Sequence, residues 1–184
     1  LGLAFSLACC IILMRYIHRE LTVDSHCIDP QHIIIPLRYI EGNIHPGNLE
    51  QGWSDTDSTY IPESQVVERC RLQIQQRDNV KYENSNYAMN IMAVDSTFFH
   101  FFHYPVLTGE ARLTAPDDAI ITRQYAHRLF GNENPVGKVV EYYGKNVIIR
   151  GMIDEPKCKT LLRFDMLVSH NLIKRWQLMD ISLE

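Results

Sequence analysis

From Leu3 to Met14 nearly every position is apolar, a density that no later stretch of the chain approaches. The apolar residues surround the helix axis instead of forming one stripe, as expected of a helix set in lipid. Spanning a bilayer takes roughly 20 apolar residues, more than this run supplies. Residues 1–20 are therefore predicted to be the carboxyl-terminal part of a first transmembrane helix, continuous to about Ile17 and packed weakly on the folded domain. A buried globular helix is the competing reading. A signal-peptide core fits poorly, because Arg15, Tyr16 and His18 stand where small cleavage-site residues belong. A lipoprotein signal ending at Cys9 would want an aliphatic residue where Ser6 lies.

Beyond the helix the rhythm shortens. Asp24–Pro30 carries cap and breaker residues, and Ile33–Ile44 reads as a strand, with Pro36 better placed at a sheet edge. Asn48–Tyr60 is polar and reads as loop, and Pro62–Val67 as the start of a helical turn. Glu68–Gln76 alternates Cys70, Leu72 and Ile74 with polar residues, the period of a strand. Asp78-Asn79 is a turn signal, after which Val80–Glu83 and Tyr87–Val94 complete a predicted antiparallel meander. Asp95 is placed to cap a helix carrying Phe98, Phe99, Phe101 and Phe102, and Thr122 one carrying Tyr125, Ala126, Leu129 and Phe130, ended by Gly131. Lys138–Tyr143 and Asn146–Ile153, with Gly144-Lys145 between them, are the strongest hairpin signal, and Phe164–Val168 is a further strand. Strands outnumber helices without βαβ alternation, which predicts an α+β fold of mixed, mainly antiparallel sheets with a few packed helices. Phe98, Phe102, Leu129, Phe130 and Ile149 are expected in its core.

Composition narrows the function. A net charge of -4 over 184 residues, with no basic stripe, excludes a nucleic-acid footprint. The five cysteines form no paired C-x-x-C sets, so neither a zinc ribbon nor a disulfide scaffold is indicated. Cys27, Cys70 and Cys158 could include one bridge, with the pairing open. Gly131–Lys138, GNENPVGK, looks like a phosphate-binding loop but has one residue too many between its glycines, and Val139 replaces the magnesium-binding hydroxyl. It also joins a helix to a strand, so it is expected to be a structural connector. His100 and His103 stand at i, i+3 without further ligands, and His18, Cys27 and His32 fare no better. Asp117-Asp118 and Asp154-Glu155 read as turn and cap residues, and no nucleophile motif is present. No catalytic, cofactor or metal residue is predicted, and the chain is not read as an enzyme.

Three linked segments carry a resemblance: VDSTFFHFFHYPVLTGE at 94–110, IITRQYAHRLFGNENPVGKVVEYYGKNVIIRGMIDEP at 120–156 and RFDMLVS at 163–169. In order they supply Val94, Asp95, Phe98 and Phe99; Leu107 and Gly109; Thr122, Ala126, Leu129, Phe130 and Gly131; Pro135, Gly137 and Lys138; Ile149 and Gly151. This series resembles the MacB-like periplasmic core domain of FtsX-like ABC transporter permeases, and the opening residues look like the end of such a permease's first membrane helix. The resemblance is weak between Asp29 and Glu63, and Asp154–Arg163 is shorter than is usual there.

The resemblance implies a two-lobed extracytoplasmic domain over residues 21–184, cut short at its carboxyl end, with one lobe about 21–93 and 160–184 and the other about 94–159. It implies a bacterial inner-membrane protein with this domain in the periplasm, coupling cytoplasmic ATP hydrolysis to export or signalling. The expected partners are a separate or fused ABC ATPase, a second permease copy, the membrane and a periplasmic protein. A membrane-tethered ligand-binding or sensor domain is the alternative.

Overall fold

A computed structural model describes residues 2–33, 37–40, 43–46 and 66–173. Helix α1, Gly2–Leu21, is 20 residues long and has no buried residue. Its apolar side chains face outward on all sides, with Leu3 88%, Phe5 73% and Met14 72% exposed. Length and composition suffice to cross a bilayer. The helix extends beyond Ile17 because Thr22 continues the ladder, its N–H donating to the His18 carbonyl at 3.1 Å and its hydroxyl to the same oxygen at 2.8 Å.

In place of the single strand expected at Ile33–Ile44, two short strands pair antiparallel, β1 (Leu37–Ile40) and β2 (Asn43–Pro46), with Leu37 opposite Pro46. Two short strands separated by two residues have hairpin spacing, which a single-strand reading overlooks. The polar stretch Asn48–Tyr60 lies outside the described residues. Of Pro62–Val67 only Val66 and Val67 are described, and they carry no helix.

The remaining strands make one sheet: β3 (Leu72–Tyr82), β4 (Ser85–Val94), β5 (Val106–Gly109), β6 (Asp118–Thr122), β7 (Val139–Tyr142), β8 (Lys145–Ile153) and β9 (Met166–Ser169). Their order is β5-β8-β6-β9-β4-β3-β7, and β7 also pairs with β8. Strands β8, β6, β9, β4, β3 and β7 therefore form an unbroken hydrogen-bonded circuit with β5 added at one edge, and closure of this kind removes exposed edges. Within the sheet β4–β9 and β6–β8 are parallel and the other pairings antiparallel.

Alternation along the strands sorts side chains into two cores. Met89, Ile91 and Ala93 of β4, Ala119 and Ile121 of β6, and Met166 and Val168 of β9 face one cluster, closed by helix α3 (Arg123–Phe130) through Tyr125, Ala126, Leu129 and Phe130. Met92, Val94, Ile120 and Leu167, the intervening residues, face the second, with Phe98, Tyr104 and Phe164. A bulge refines this pattern: Ala119 pairs with Ile149 but Ile120 with Gly151, so Arg150 is the extra residue. The bulge switches faces, placing Ile149 in the first core and Ile153 in the second.

Two sequence expectations are corrected. Strand β3 runs straight through Asp78-Asn79, which pair with Met89 and Ala88, and the chain reverses at Glu83-Asn84 instead, Glu83 adopting φ 53. The long ladder with β4 outweighs the local turn preference of Asp-Asn. Helix α2, Phe98–Phe101, is a single turn whose N-cap is Thr97, not Asp95. Asp95 is drawn instead to the residue preceding β3, its carboxylate accepting the Arg71 N–H at 3.1 Å. The short helix buries only Phe98 completely, and Phe102 packs against the core half-buried.

Helix α3 matches expectation, entering from an extended Thr122 and stopping at Gly131, whose φ of 62 lies in the region glycine favours. The β7–β8 hairpin forms as expected, but its turn lies one residue earlier than Gly144-Lys145, at Tyr143-Gly144, both at positive φ as a type I′ turn requires, so Lys145 already pairs with Tyr142. At β5–β8 the backbones approach so closely that a Cβ on Gly151 would stand 2.4 Å from the Glu110 carbonyl oxygen.

Candidate functional site

The place where α1 joins the sheet domain is built from three segments. Asp24, at φ 54, turns the chain at the helix exit. Its N–H donates to the Lys159 carbonyl at 2.8 Å, and its carboxylate accepts the Leu161 N–H at 3.1 Å. The Lys159 ammonium donates to the Glu20 carboxylate at 2.9 and 3.2 Å. The β8–β9 connection is thereby fastened to the last turn of the helix. On the opposite side Cys27 bridges to Phe102, with His103 N–H donating to the His26 carbonyl at 2.8 Å and Ile28 N–H to the Phe101 carbonyl at 2.7 Å.

The interior of this junction is aromatic and weakly polar. His26 is buried, its ring edge-on to Tyr104 at 5.1 Å, with Nδ1 3.5 Å from the Cys158 Sγ. Desolvation lowers the His26 pKa, against a smaller raising effect of Asp24, so the imidazole is neutral at pH 7. Burial pushes the Cys27 thiol up, and the charges of Asp24 and Cys158 add to it. Burial likewise raises the Tyr104 phenol, against a smaller lowering effect of Thr160, which stands near the hydroxyl without a well-formed hydrogen bond to it. Cys27, Cys70 and Cys158 are all free thiols. Cys70 lies apart from this cluster, desolvated to a pKa of about 12. The Cys27 and Cys70 thiols, held protonated in this way, are poor nucleophiles, and the lowered pKa of His26 makes it a weaker base than a free imidazole.

The residues weighed from the sequence fall elsewhere. Gly131–Lys138 is the connector between α3 and β7, edging a shallow cleft of about 370 Å³. Most of its backbone amides are already used: Gly131 N–H donates to His127, Glu133 N–H to Phe130, Gly137 N–H to the Ile149 carbonyl and Lys138 N–H to the Pro135 carbonyl, while Val136 N–H donates to the Asn134 side chain. Lys138 is paired with Glu133 and its ammonium lies 5.0 Å from the Phe130 ring centre. A phosphate cradle needs a run of free, converging amides and a free lysine; here five amides are already donated and the lysine is paired.

His100 and His103 do not converge. His100 Nδ1 meets the Glu68 carboxylate at 2.8 Å, whereas His103 is engaged through its backbone with His26. His18 and His32 are exposed, His32 with Asp29 at 2.7 Å. Among the described residues no three His, Cys, Asp or Glu side chains lie together as metal ligands would.

Asp154 holds Arg123 at 2.8 Å, a link between the β8–β9 connection and α3. Asp118 is more than a turn residue. As the first residue of β6 it is 2% exposed and accepts the N–H groups of Thr114 and Ala115 at 2.9 and 2.7 Å and Arg150 Nε at 2.6 Å. Burial alone would raise its carboxyl, but the hydrogen bonds from Ala115, Arg150 and Thr114 outweigh it and the pKa is lowered. The sequence signal for this cluster is Asp118 and Arg150 on strands that pair, visible only once the β6–β8 register is known.

An outward-facing apolar helix fastened at its last turn to a closed, two-core sheet defines the class: a folded domain carried on a helix long and apolar enough to cross a membrane. Residues 1–181 match the family described as the MacB-like periplasmic core domain, and the chain belongs to that family. It is a domain of transporter permeases of the MacB/FtsX-like ABC type. Solved structures that resemble it include a domain described as a permease protein from Porphyromonas gingivalis, with a TM-score of 0.49 and 16% identity, covering 55% of this chain and 50% of that one. The periplasmic region of MacB from Actinobacillus actinomycetemcomitans gives a TM-score of 0.46 at 13% identity, covering 58% and 50% of the two chains. The extracellular domain of the noncanonic ABC-type transporter YknZ from Gram-positive bacteria gives 0.46 at 21%, covering 56% and 55%. The chain thus spans about half the length of these structures. No curated protein matches it.

Proposed function

We propose that this chain is the transmission domain of an ABC permease, carrying motion between a membrane helix and the periplasm while a separate or fused cytoplasmic ATPase hydrolyses ATP. The observation that carries the proposal is the fastening of α1: Glu20 and Asp24 at the helix exit are tied to Lys159 and Leu161 of the β8–β9 connection. Displacement of the helix along or across its axis would pull directly on β9, and β9 sits between β6 and β4 in the sheet. A second permease copy, the inner membrane and a periplasmic protein complete the proposed assembly.

In this proposal the two lobes are contiguous halves of the circuit, β9, β4 and β3 in one and β7, β8, β5 and β6 in the other. The halves meet at two seams, Ala119–Ile121 against Met166–Val168 and Val80-Lys81 against Tyr142-Glu141. Relative movement of the lobes is absorbed at these seams.

The test is transport or partner activation by the full permease carrying Lys159→Ala and Asp24→Ala together. Loss of coupled activity with normal membrane insertion and ATPase assembly is the expected result. Unchanged activity would reduce the junction to a passive anchor.

A further inference from the structure

Beside the fastened end of α1 lies a pocket of about 520 Å³, walled by Arg19 of the last helical turn, Tyr104, and the β8–β9 connection. Its charges sort unevenly. Of the carboxylates in the wall, Asp154 is held by Arg123 at 2.8 Å and Asp165 accepts the Asn90 N–H at 2.6 Å. Of the cations, Lys159 is engaged with Glu20 at 2.9 Å. The side chains of Arg19, Lys157 and Arg163 have no partner among the described residues and stand against two carboxylates without a cation, Glu155 and Asp165, since the Asn90 N–H leaves the charge of Asp165 in place. The pocket therefore keeps an excess of open positive charge although the chain as a whole carries -4.

Two further observations point to what fills it. The Tyr104 hydroxyl is buried in the pocket wall, where Thr160 is a hydrogen-bonding neighbour too loosely placed to satisfy it, a cost that a polar ligand would relieve. Burial keeps the phenol protonated, so it is available as a donor. The surface next to the pocket is apolar on the helix side: Leu21 is 81% and Leu161 77% exposed. The apolar run of α1 ends before Arg19, and the folded domain begins just after Leu21, so Arg19, Leu21 and Leu161 lie at the level of the lipid headgroups when α1 is inserted.

We infer that this pocket binds the phosphate-bearing headgroup of an anionic glycerophospholipid of the membrane that α1 enters. Arg19, Lys157 and Arg163 supply the positive field, Tyr104 a neutral donor, and Leu21 and Leu161 apolar contact for the upper acyl chains. The inference rests on the reading of α1 as a membrane span and adds a ligand to the same junction. A lipid held there would report membrane composition directly to the connection that ties α1 to β9.

The experiment uses the full chain in nanodiscs of phosphatidylcholine with and without phosphatidylglycerol, counting lipids retained by native mass spectrometry after release. Phosphatidylglycerol should be retained in preference to phosphatidylcholine. Each of Arg163→Gln and Lys157→Gln should weaken retention about fivefold, and the combination with Arg19→Gln should abolish the preference. Tyr104→Phe, which keeps the ring packing, should weaken it without altering circular dichroism. Equal retention of both lipids would overturn the inference, and displacement by inorganic phosphate would overturn it by reassigning the pocket to a free anion. Protease protection of α1, measured on the same nanodiscs, separates the two readings: an unprotected helix sinks the span itself, whereas a protected helix without lipid preference sinks only the headgroup site.

Discussion

Single residues carry unequal weight in this molecule, and the packing says which. Phe130 is 6% exposed, closes the end of the first core and stacks edge-on to Tyr82 at 4.7 Å. Its truncation to Ala should cost about 3 to 5 kcal/mol, read as a lower denaturation midpoint in urea at unchanged slope. Gly151→Ala should also destabilise, by about 1 to 3 kcal/mol, because its new methyl group would meet the Glu110 backbone at 2.4 Å. Asp118 gives a pH dependence whose sign is fixed by its environment. Its folded pKa lies below the ordinary 3.8, so the stability it lends is complete above that value and is lost as pH falls through the lowered folded pKa. Asp118→Asn should flatten the acid limb of a melting-temperature profile while lowering the plateau near neutrality. An unchanged acid limb would show that other carboxylates govern it.

At the scale of elements, the two seams of the circuit differ in strength. Strands β6 and β9 share three residue pairs between fully buried strands, whereas β3 and β7 share two, next to exposed Lys81 and half-exposed Glu141. Opening free energy rises with burial and protected hydrogen bonds, so amides of Val80-Lys81 and Glu141-Tyr142 should exchange with deuterium before those of Ile120 and Leu167. Simultaneous exchange would mean that the circuit opens as one unit. These elements are unevenly legible in the sequence. Helix α3 and the β7–β8 hairpin are marked locally, by apolar spacing ended at Gly131 and by Gly144 at a turn, and local marks survive folding. Strand β3 is different: Asp78-Asn79 signals a turn, but pairing with Met89 and Ala88 keeps it extended. The sequence overextends helix α2 because four phenylalanines imitate a helical face, whereas Phe102 already belongs to the extended bridge with Cys27. The junction of Glu20, Asp24, Lys159 and Leu161 is illegible there, since its contacts join positions more than 130 residues apart.

For the whole molecule, the separation of energy source from moving part sets the sharpest expectation. The chain has one segment that imitates a nucleotide-binding loop, and its amides at Gly131, Glu133, Val136 and Gly137 are already donated while Lys138 is paired with Glu133. Binding a phosphate there would require breaking several of those hydrogen bonds and the ion pair for contacts of similar kind, leaving little net gain. The isolated chain should therefore neither bind nor hydrolyse ATP. Calorimetric titration checks this, and micromolar affinity lost in Lys138→Ala would refute it. If the nucleotide acts only in the cytoplasm, α1 is a route by which its effect can reach the sheet, because coupling between distant sites needs an element that both can bias. A permease lacking residues 22–173 should then assemble with its ATPase and retain nucleotide hydrolysis, yet lose transport or partner activation. Retained transport would place the coupling entirely within the membrane helices and leave the periplasmic sheet an accessory.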